Sequence, residues 1–325
     1  MRIPQLAASA LAALAVLGCS NDSGKAAARK RIAVIPKGTT HEFWKAVHAG
    51  AERAAQEIGA EVIWKGPLKE DDREAQIKVV EDFITRGVDG IVLMPLDDKA
   101  LAGPAKDAAS QKIPVVIADS DLQWDGRVSF VATDNRKGGR LGGEHLGKTL
   151  GGKGKVLMMR YQEGSASTME REAGFLDAMK EFAGIEVVSS NQYGGATTES
   201  AYKTAENLLQ SFGDIAGIFC PNESTTFGML RALQDAGKSG KVKFVGFDSS
   251  EKLLEALKKG ELQALVLQNP VEMGRLSVKA CIDALAGKPV ERRIDTGATV
   301  ATSENLSDPR VAALLKPDLS ILAGK

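Results

Sequence analysis

Short apolar runs alternate with longer segments of helical periodicity along most of the chain. Several of these runs are continuous, among them residues 91–94 and 115–117. Continuous apolar runs of this length are typical of strands buried on both faces of a parallel sheet. The pattern predicts strands at residues 31–36, 61–64, 90–94, 114–118, 128–132, 155–159, 186–189, 216–220, 242–247 and 262–267.

Helical segments fill the gaps between these strands. One apolar face predicts a helix over residues 41–58, and it consists of Phe43, Val47, Ala54 and Ile58. A second predicted helix is marked by Ile77, Val80, Phe83 and Ile84. A capping box is expected to open the first helix at Thr39-Thr40-His41-Glu42, and helices are expected to end near Gly87, Gly184 and Gly237. The alternation indicates an α/β fold with parallel sheets, and the number of strands favours two lobes over one sheet.

The first eighteen residues have the features of a signal peptide. Arg2 is followed by an apolar run over residues 6–17, which is too short to span a bilayer. The run ends in Val16-Leu17-Gly18-Cys19, which resembles a bacterial lipobox whose cysteine is acylated and becomes the mature N-terminus. The alternative is an ordinary export signal with a chance cysteine. We expect a lipid anchor at Cys19, a tether over residues 19–30 and a location in the periplasm or at the cell surface.

The composition is that of a globular protein with balanced charge. The 325 residues include 42 basic and 42 acidic side chains, and 43% of the chain is hydrophobic. A formal charge of zero argues against a nucleic-acid surface, which needs a basic excess. Three cysteines cannot build a disulfide framework, and the three histidines lack the spacing of a zinc motif. We therefore expect no metal, no cofactor and no nucleic-acid partner.

Polar residues stand directly after several predicted strands, where ligands bind in open parallel sheets. These positions hold Lys37, Asp119-Ser120, Asn222-Glu223, Asp248 and Gln268-Asn269, and the first helix adds His41, Phe43 and Trp44. Carboxylates and amides bond vicinal hydroxyls, and an aromatic face suits the C–H side of a sugar ring, so the set favours a neutral polyol. The alternative is that Asp and Asn form turns and helix caps here. Helical periodicity places Phe43 on the apolar face of the first helix, so Phe43 is expected in the core. Trp44 lies on a different face and is expected to be the more exposed ring.

Several longer stretches together resemble one known family. They are residues 32–44 with Phe43-Trp44, residues 114–119, 132–135, 170–175, 221–223, 230–237 and 245–248, and Gln268. Over essentially all of the mature chain, the sequence resembles the ribose-type periplasmic sugar-binding proteins, the type I solute receptors of bacterial ABC sugar importers. The resemblance implies two similar doubly wound α/β lobes with parallel sheets, joined by three hinge crossings near Thr133-Asp134, Gln268-Asn269 and Gly297. The N-terminal lobe would comprise residues 31–133 and 269–297, and the C-terminal lobe residues 134–268 and 298–325.

The resemblance also implies which side chains hold the ligand between the lobes when the hinge closes. The family's sugar contacts fall on Lys37, His41, Phe43, Trp44, Asp119, Ser120, Met169, Ala196, Asn222, Asp248 and Gln268. Ser120 and Met169 stand where the ribose receptor has arginines, Ala196 replaces an aromatic ring, and Lys37 replaces a small hydroxyl residue. The loss of two guanidinium forks and a ring implies a roomier pocket. We therefore expect a sugar other than ribose, a cyclitol or a sugar-derived signal, with Lys37 and Met169 shaping the difference.

The resemblance implies a monomeric receptor that works with an ABC permease and is not an enzyme. A sensory receptor that docks on a chemoreceptor or sensor kinase is the alternative. Lactose-repressor-type regulators share the fold but carry an N-terminal DNA-binding segment, where this chain has an export signal. Asp119 and Asp248 could imitate a glycosidase pair, although hydroxyl binding accounts for both. Cys220 and Cys281 are expected in different lobes, too far apart for a disulfide.

Overall fold

The computed structural model describes Met1 and residues 29–324. The rest of the predicted signal peptide, the candidate lipidation site Cys19 and most of the tether lie outside these described residues. Within the described part of the chain, no helix is both long enough and apolar enough to cross a membrane.

Six parallel strands form the first sheet. They are β1 (Arg31–Ile35), β2 (Glu61–Trp64), β3 (Gly90–Leu93), β4 (Val115–Ala118), β5 (Phe130–Ala132) and β11 (Arg293–Asp295), in the order β11-β5-β4-β3-β1-β2. The helices of this lobe are α1 (Glu42–Ile58), α2 (Arg73–Thr85), α3 (Ala102–Ser110) and α9 (Pro270–Leu285). Buried apolar clusters cover both faces of the sheet, which explains the continuous apolar runs of its central strands.

The second sheet repeats this arrangement. Its strands are β6 (Lys153–Arg160), β7 (Gly184–Tyr193), β8 (Gly217–Phe219), β9 (Lys243–Phe247), β10 (Ala264–Leu267) and β12 (Thr299–Ala301), in the order β12-β10-β9-β8-β6-β7. Only the pair β10 and β12 is antiparallel within this sheet of the described residues. Its helices are α4 (Asn135–Thr149), α5 (Ala166–Met179), α6 (Thr198–Ser211), α7 (Glu223–Asp235), α8 (Glu251–Lys258) and α10 (Pro309–Leu315). The fold is therefore the expected pair of doubly wound lobes, with β4 and β9 at equivalent positions.

All ten predicted strands are confirmed, and two were missed. The missed strands, β11 and β12, have three residues each and are only partly buried, so they leave no apolar run in the sequence. Gly87 and Gly237 follow helices with φ near 61°, as expected. The expectation for Gly184 is wrong, because α5 ends at Met179 and Gly184 is the first residue of β7.

The chain passes between the two sheets after β5, after β10 and between β11 and β12. The first passage leads into α4, which packs under the second sheet, and the second leads into α9, which packs on α1. The segment after β12 was expected in the C-terminal lobe throughout, but the structure divides it. Val311 and Leu315 of α10 enter the core of the second lobe, whereas a 3-10 helix, η1 (Ser320–Leu322), lies against α1 of the first.

The two described cysteines are free and buried in separate cores. Cys281 belongs to the apolar cluster of the first lobe and Cys220 to that of the second. The expectation that these two residues form no disulfide is therefore confirmed. Burial raises the pKa of the Cys281 thiol to about 12 and raises that of Cys220 well above its usual value, so neither thiol is reactive in the fold.

Two helix pairs cross with their backbones in contact, at glycines. A Cβ on Gly50 of α1 would overlap the carbonyl of Val271 in the first turn of α9, and one on Gly274 of α9 would overlap that of Val47. In the other lobe, Gly139 of α4 and Gly174 of α5 meet in the same way. The glycine-rich stretch around Gly139 is thus a helix face used for close packing. These crossings set the positions of α1 and α5, whose N-termini face each other between the lobes.

Replacing Gly174 by alanine tests this constraint. We expect Gly174→Ala to lower the free energy of unfolding by about 2 kcal/mol or more, because the new methyl group would overlap the backbone carbonyl of Arg136. Gly103→Ala is the matched control, since Gly103 lies in α3 with no atom within 4 Å of a new Cβ. It should be neutral or stabilise the protein by up to about 1 kcal/mol. Urea unfolding curves of both variants measure the difference, and similar midpoints would contradict the close-crossing model of the lobes.

Candidate ligand-binding site

A cleft lies between the carboxyl ends of the two sheets. The N-termini of α1 and α5 reach it, together with the turns that follow β1, β4, β6, β8, β9 and β10. Its walls consist of Lys37, His41, Phe43, Trp44, Glu70, Asp119, Tyr161, Ser167, Thr168, Arg171, Asn222, Glu223, Asp248 and Gln268. Eight of the eleven contact positions that the resemblance implied are in this set.

Three positions taken from the resemblance lie elsewhere. Ser120 is fully buried behind the cleft, where its hydroxyl accepts a hydrogen bond from the backbone amide of Ser167 at 3.1 Å. Met169 is not in the cleft wall but lines a separate cavity beside Asp134 and Arg293. Ala196 is buried and is also absent from the wall. The interpretation that Met169 shapes the pocket therefore has no support in this geometry.

Asp119 and Asp248 occupy the same position in the two lobes. Asp119 follows β4 and Asp248 follows β9, and both have left-handed backbones, with φ of 58° and 67°. Among the described residues, Lys112 is the one other non-glycine residue with positive φ. Aspartate tolerates this conformation better than most residues, but the conformation still has to be held by its surroundings. Each sheet thus directs one carboxylate into the cleft by the same backbone device.

Lys37 balances the charge of Asp119. Its Nζ lies 3.0 Å from Asp119 Oδ2, and both side chains are about 4% exposed. The same ammonium donates to Ser167 Oγ at 2.9 Å and to Ser165 Oγ at 3.3 Å, both at the start of α5. Lys37 therefore points into the cleft and not to solvent, and it joins the first lobe to the second.

Asp248 is held by two hydrogen-bond donors and one nearby cation, in the second lobe and at the crossing. Gln268 Nε2 donates to its Oδ1 at 2.7 Å, and the backbone amide of Glu223 donates to Oδ2 at 3.2 Å. The Arg171 guanidinium is 3.9 Å from the same oxygen. Burial raises the pKa of Asp248, and the charge of Arg171 opposes that rise.

Arg171 supplies a fixed guanidinium that the sequence interpretation missed. Its Nε donates to Asn135 Oδ1 at 2.8 Å and its Nη1 to the carbonyl of Pro221 at 3.0 Å. The group also stacks on the Phe247 ring at 4.1 Å from the centroid. The second lobe thus holds a guanidinium in the cleft wall, although the positions of Ser120 and Met169 carry none. Arg171 lies one helical turn after Ser167 on α5, so its phase could have indicated it.

Glu70 is the most heavily bonded side chain in the cleft. Its carboxylate accepts from His41 Nδ1 at 2.5 Å, from Trp44 Nε1 at 2.6 Å and from the Tyr161 hydroxyl at 2.6 Å. His41 and Trp44 belong to the first lobe, whereas Tyr161 follows β6 in the second. The Trp44 ring, expected to be exposed, is 3% exposed because this bond holds it inside the cleft.

The His41–Glu70 pair carries opposite charges. Burial alone would lower the pKa of His41, but the charge and hydrogen bond of Glu70 outweigh it and raise the pKa to about 9. Burial would raise the pKa of Glu70, but His41 above all, then Lys37, lowers it to about 2. At neutral pH the pair is therefore an imidazolium against a carboxylate.

Glu223 caps α1 from the opposite lobe. Its carboxylate accepts from the backbone amides of Glu42 at 3.2 Å and Phe43 at 3.1 Å. The predicted capping box is wrong, because the N-cap residue His41 makes no capping bond with its side chain. Burial raises the pKa of Glu223 to about 7, although the charge of His41 and these backbone bonds act against the rise. An anion at a helix N-terminus is favourable, so the cap also draws the lobes together.

The cleft is lined by polar groups of both charges and leaves little empty space. Three cations, Lys37, His41 and Arg171, face four carboxyl groups, Glu70, Asp119, Glu223 and Asp248. The space left between them is about 20 Å³, room for roughly one water molecule. Pockets that hold small molecules measure roughly 300–1000 Å³, so a ligand enters after the lobes have moved apart. Among the described residues, no group of three or more His, Cys, Asp or Glu side chains is arranged for a metal ion.

Six wall residues lie outside the predicted ligand contacts, namely Glu70, Tyr161, Ser167, Thr168, Arg171 and Glu223. Glu223 was already among the strand-end candidates, and Tyr161 directly follows β6, which ends one residue later than predicted. Glu70 lies in an irregular loop between β2 and α2, and no spacing or periodicity marks it. Its position depends on where three distant donors meet in space.

Comparisons with known proteins give a consistent result. The sequence profile of a family described as "periplasmic binding protein domain" matches residues 32–289. A D-ribose/D-allose-binding protein of Pseudomonas aeruginosa is 32% identical over 277 residues, which cover 82% of this chain and 86% of that protein. A carbohydrate transporter solute-binding protein of Agrobacterium radiobacter, solved in complex with D-arabinose, has a TM-score of 0.85 and 33% identity, covering 89% of this chain and 100% of that one. An ABC transporter solute-binding protein of Agrobacterium vitis with bound D-fucose has a TM-score of 0.85 and 36% identity, covering 88% and 100%.

The His41–Glu70 pair predicts how stability depends on pH. The pKa of His41 is higher in the fold than in the unfolded chain, about 9 against 6.5. Its stabilisation is therefore complete below pH 6.5 and is lost as the pH rises through 9. We expect the melting temperature of the wild type to fall between pH 7 and 9, and His41→Gln to flatten that fall.

His145→Gln is the control, because the pKa of His145 is lowered by burial and so gives no such loss. This variant should keep the wild-type decline between pH 7 and 9. Differential scanning calorimetry at matched ionic strength makes the comparison. A decline of wild-type size in His41→Gln would show that another group is responsible.

Proposed function

The chain belongs to the periplasmic binding protein family, and from this premise we propose that it is the receptor of an ABC importer that binds a monosaccharide or related polyol between its lobes. The relatives named above are receptors for sugars or solute-binding proteins with a sugar bound. The comparisons lend no support to the sensory alternative.

One observation carries the proposal: two equivalent aspartates, one from each sheet, meet in a single cleft between the lobes. Asp119 and Asp248 offer carboxylate oxygens from opposite sides, and Asn222 and Gln268 add amides. Vicinal hydroxyl groups need acceptors and donors in this mixture, and charge-assisted bonds of this kind are strong. Phe43 and Trp44 pack edge to face at 4.9 Å and add an apolar wall for the C–H side of a ring.

Closure of the lobes follows from the bonds that cross the cleft. Glu70 meets Tyr161, Glu223 meets the first amides of α1, and Lys37 meets the start of α5. A ligand shifts the open–closed equilibrium only through contacts that it makes better in one state. A sugar held by Asp119 and Asp248 together satisfies that condition, because both contacts exist at once only when the lobes are closed.

The identity of the sugar is set by the polar pattern of the cleft. We propose that ribose is not the tightest ligand. Lys37 supports this, since it places a buried ammonium against Asp119 where the ribose receptor has a small hydroxyl residue. On the opposite side, the Arg171 guanidinium donates to Asn135 and to the carbonyl of Pro221, so it fixes that wall of the cleft.

We propose that Asp119 and Asp248 bind and do not catalyse. Asp119 is ion-paired with Lys37, and Asp248 accepts from Gln268 and a backbone amide. A glycosidase acid needs a proton that it can transfer to the leaving group. Groups that are already engaged as acceptors suit hydroxyl recognition instead.

The protein acts in the periplasm, as its family does, and we propose that it is a monomer tethered through lipidated Cys19. The lipobox-like sequence Val16-Leu17-Gly18-Cys19 supports the anchor. The tether over residues 19–30 would leave both lobes free to reach a permease in the same membrane.

Removal of the cleft aspartates tests the sugar site. A thermal-shift screen of pentoses, hexoses, deoxysugars and inositols first identifies a ligand, since a compound that binds the folded state raises the melting temperature. We expect Asp119→Ala and Asp248→Ala each to weaken the binding of that ligand by roughly a hundredfold, because a charge-assisted bond is lost and its partner is left unpaired.

Asp107→Ala, on the exposed face of α3, is the matched control and should leave the dissociation constant unchanged. Isothermal titration calorimetry gives the constants. Unchanged affinity in both cleft variants would mean that the sugar binds elsewhere. Tightest binding of ribose by a wide margin would refute the proposal about its identity while leaving the receptor function in place.

Cys19→Ala tests the anchor. Because acylation needs the cysteine thiol, we expect this variant to leave the membrane fraction for the soluble periplasmic fraction. Ser20→Ala, one residue further on, should stay with the membrane. Fractionation followed by immunoblotting measures both, and membrane retention of Cys19→Ala at the wild-type level would show that no lipid is attached there.

A further inference from the structure

A second cavity adjoins the ligand cleft. This side chamber has a volume of about 280 Å³ and lies between the first turns of α1, the start of α8, the crossing at Gln268 and the C-terminal segment. It shares Phe43, Asp248 and Gln268 with the wall of the cleft. The residues that would hold a sugar ring thus also form the inner wall of the chamber.

The C-terminal segment forms the outer wall of the side chamber and is fixed at both ends. Ser249 Oγ donates to the carbonyl of Leu315 at 3.2 Å in the second lobe. Arg53 of α1 donates to the carbonyl and the carboxylate of Asp318, both at 2.7 Å, in the first lobe. Between these points Leu314, Lys316 and Pro317 line the chamber. The wall is therefore part of the fold and not a loose terminus.

Gln268 leaves one buried acceptor without a partner in the wall that the two spaces share. Its amide is oriented because Nε2 donates to Asp248 Oδ1 at 2.7 Å. Its Oε1 accepts no hydrogen bond, and the residue is 3% exposed. Among the described residues the other such side-chain atom is Ser239 Oγ, which lines neither space. Buried acceptors are almost always bonded, so Gln268 Oε1 has the position of a ligand contact.

The lining of the side chamber is mainly apolar. Ala46, Leu267, Pro270 and Leu314 contribute carbon surface, and the Phe43 ring separates the chamber from the cleft. Charged groups of both signs, such as Glu251 and Lys316, stand in its wall as well. A second sugar ring would leave many hydroxyls without partners on such surface. An alkyl or aryl group has no hydroxyls to leave unpaired and so suits this surface.

We propose that the side chamber is a subsite for an apolar substituent carried by the sugar, so that the ligands of this protein are substituted sugars such as alkyl or aryl glycosides. The ring occupies the cleft, a ring hydroxyl donates to Gln268 Oε1, and the substituent passes Phe43 into the chamber. This inference rests on the proposed sugar-receptor function and specifies its ligand class.

The test compares free sugars with their glycosides. The probes are D-ribose, D-allose, D-arabinose and D-fucose, together with the methyl and phenyl glycosides of each in both anomeric forms. We expect the phenyl glycoside of one sugar, in one anomeric form, to bind roughly tenfold more tightly than the free sugar, because its ring buries apolar surface in the chamber. Calorimetry gives the dissociation constants.

Two variants locate the gain. Leu314→Trp fills the side chamber, and it should abolish the preference for the phenyl glycoside while changing free-sugar affinity by less than twofold. Leu306→Trp is the matched control, since Leu306 packs in the same partly buried way on the same core but does not line the chamber. It should retain the preference. A chain that ends at Leu315 removes Lys316, Pro317 and Leu319 from the chamber wall and should lose the gain as well, which keeps the test decisive if Leu314→Trp does not fold.

The possible failures are distinguishable. If free sugars bind and every phenyl glycoside is weaker or rejected, the subsite is refuted and the receptor function stands. If the gain survives both Leu314→Trp and the truncation, the substituent lies elsewhere and the subsite is again refuted. If no compound of either series binds, the proposed sugar-receptor function falls together with the subsite.

Discussion

The carboxylate of Glu70 is the point at which the two halves of the cleft are tied together. It is fully enclosed, yet it stays ionised because an imidazolium, an indole N–H and a phenol converge on it. Without that charge His41 would lose its proton affinity, and Trp44 and Tyr161 would each bury a donor without an acceptor. The positions of the aromatic wall, of the first turn of α1 and of the second lobe all depend on this one group. Removing one partner from such a network costs more than a surface ion pair contributes.

The scaffold around the cleft is a repeated design whose two copies are rigid for the same reason. Glycine pairs let α1 meet α9 and α4 meet α5 with backbones in contact, so each lobe holds its cleft-facing helix in a fixed position. The left-handed backbone conformation of Asp119 and Asp248 likewise fixes the direction in which each carboxylate points, in the same way in both lobes. Flexibility is then confined to the crossings, and motion changes the distance between two preformed half-sites without rebuilding either one.

The sequence predicted best those features that depend on residues close together along the chain. The apolar pattern located ten of the twelve strands of the described residues, and its continuous runs mark central strands that are buried on both faces. Polar residues after those strands led to Asp119, Asn222, Asp248 and Gln268. Failures came where the partner is distant. The helix cap expected from Thr39 is provided by Glu223, about 180 residues away, and Glu70 had no local signal at all. Met169 shows the limit of carrying over a position, since Arg171, two residues further along α5, is the residue that reaches the cleft.

The C-terminal segment changes the mechanics of the hinge. If the lobes were joined by the three covalent crossings alone, these would act as a hinge axis, and steric contact would set the limit of opening. The clasp between Arg53 and Asp318 adds a non-covalent link beside the crossings at Gln268-Asn269 and Gly297, so the two lobes and the tail form a closed loop of linked bodies. Opening must stretch or release this link. Because the ion pair is solvent-exposed, it resists with only about 1 kcal/mol or less. The tail therefore behaves as a weak spring that opposes opening and favours return.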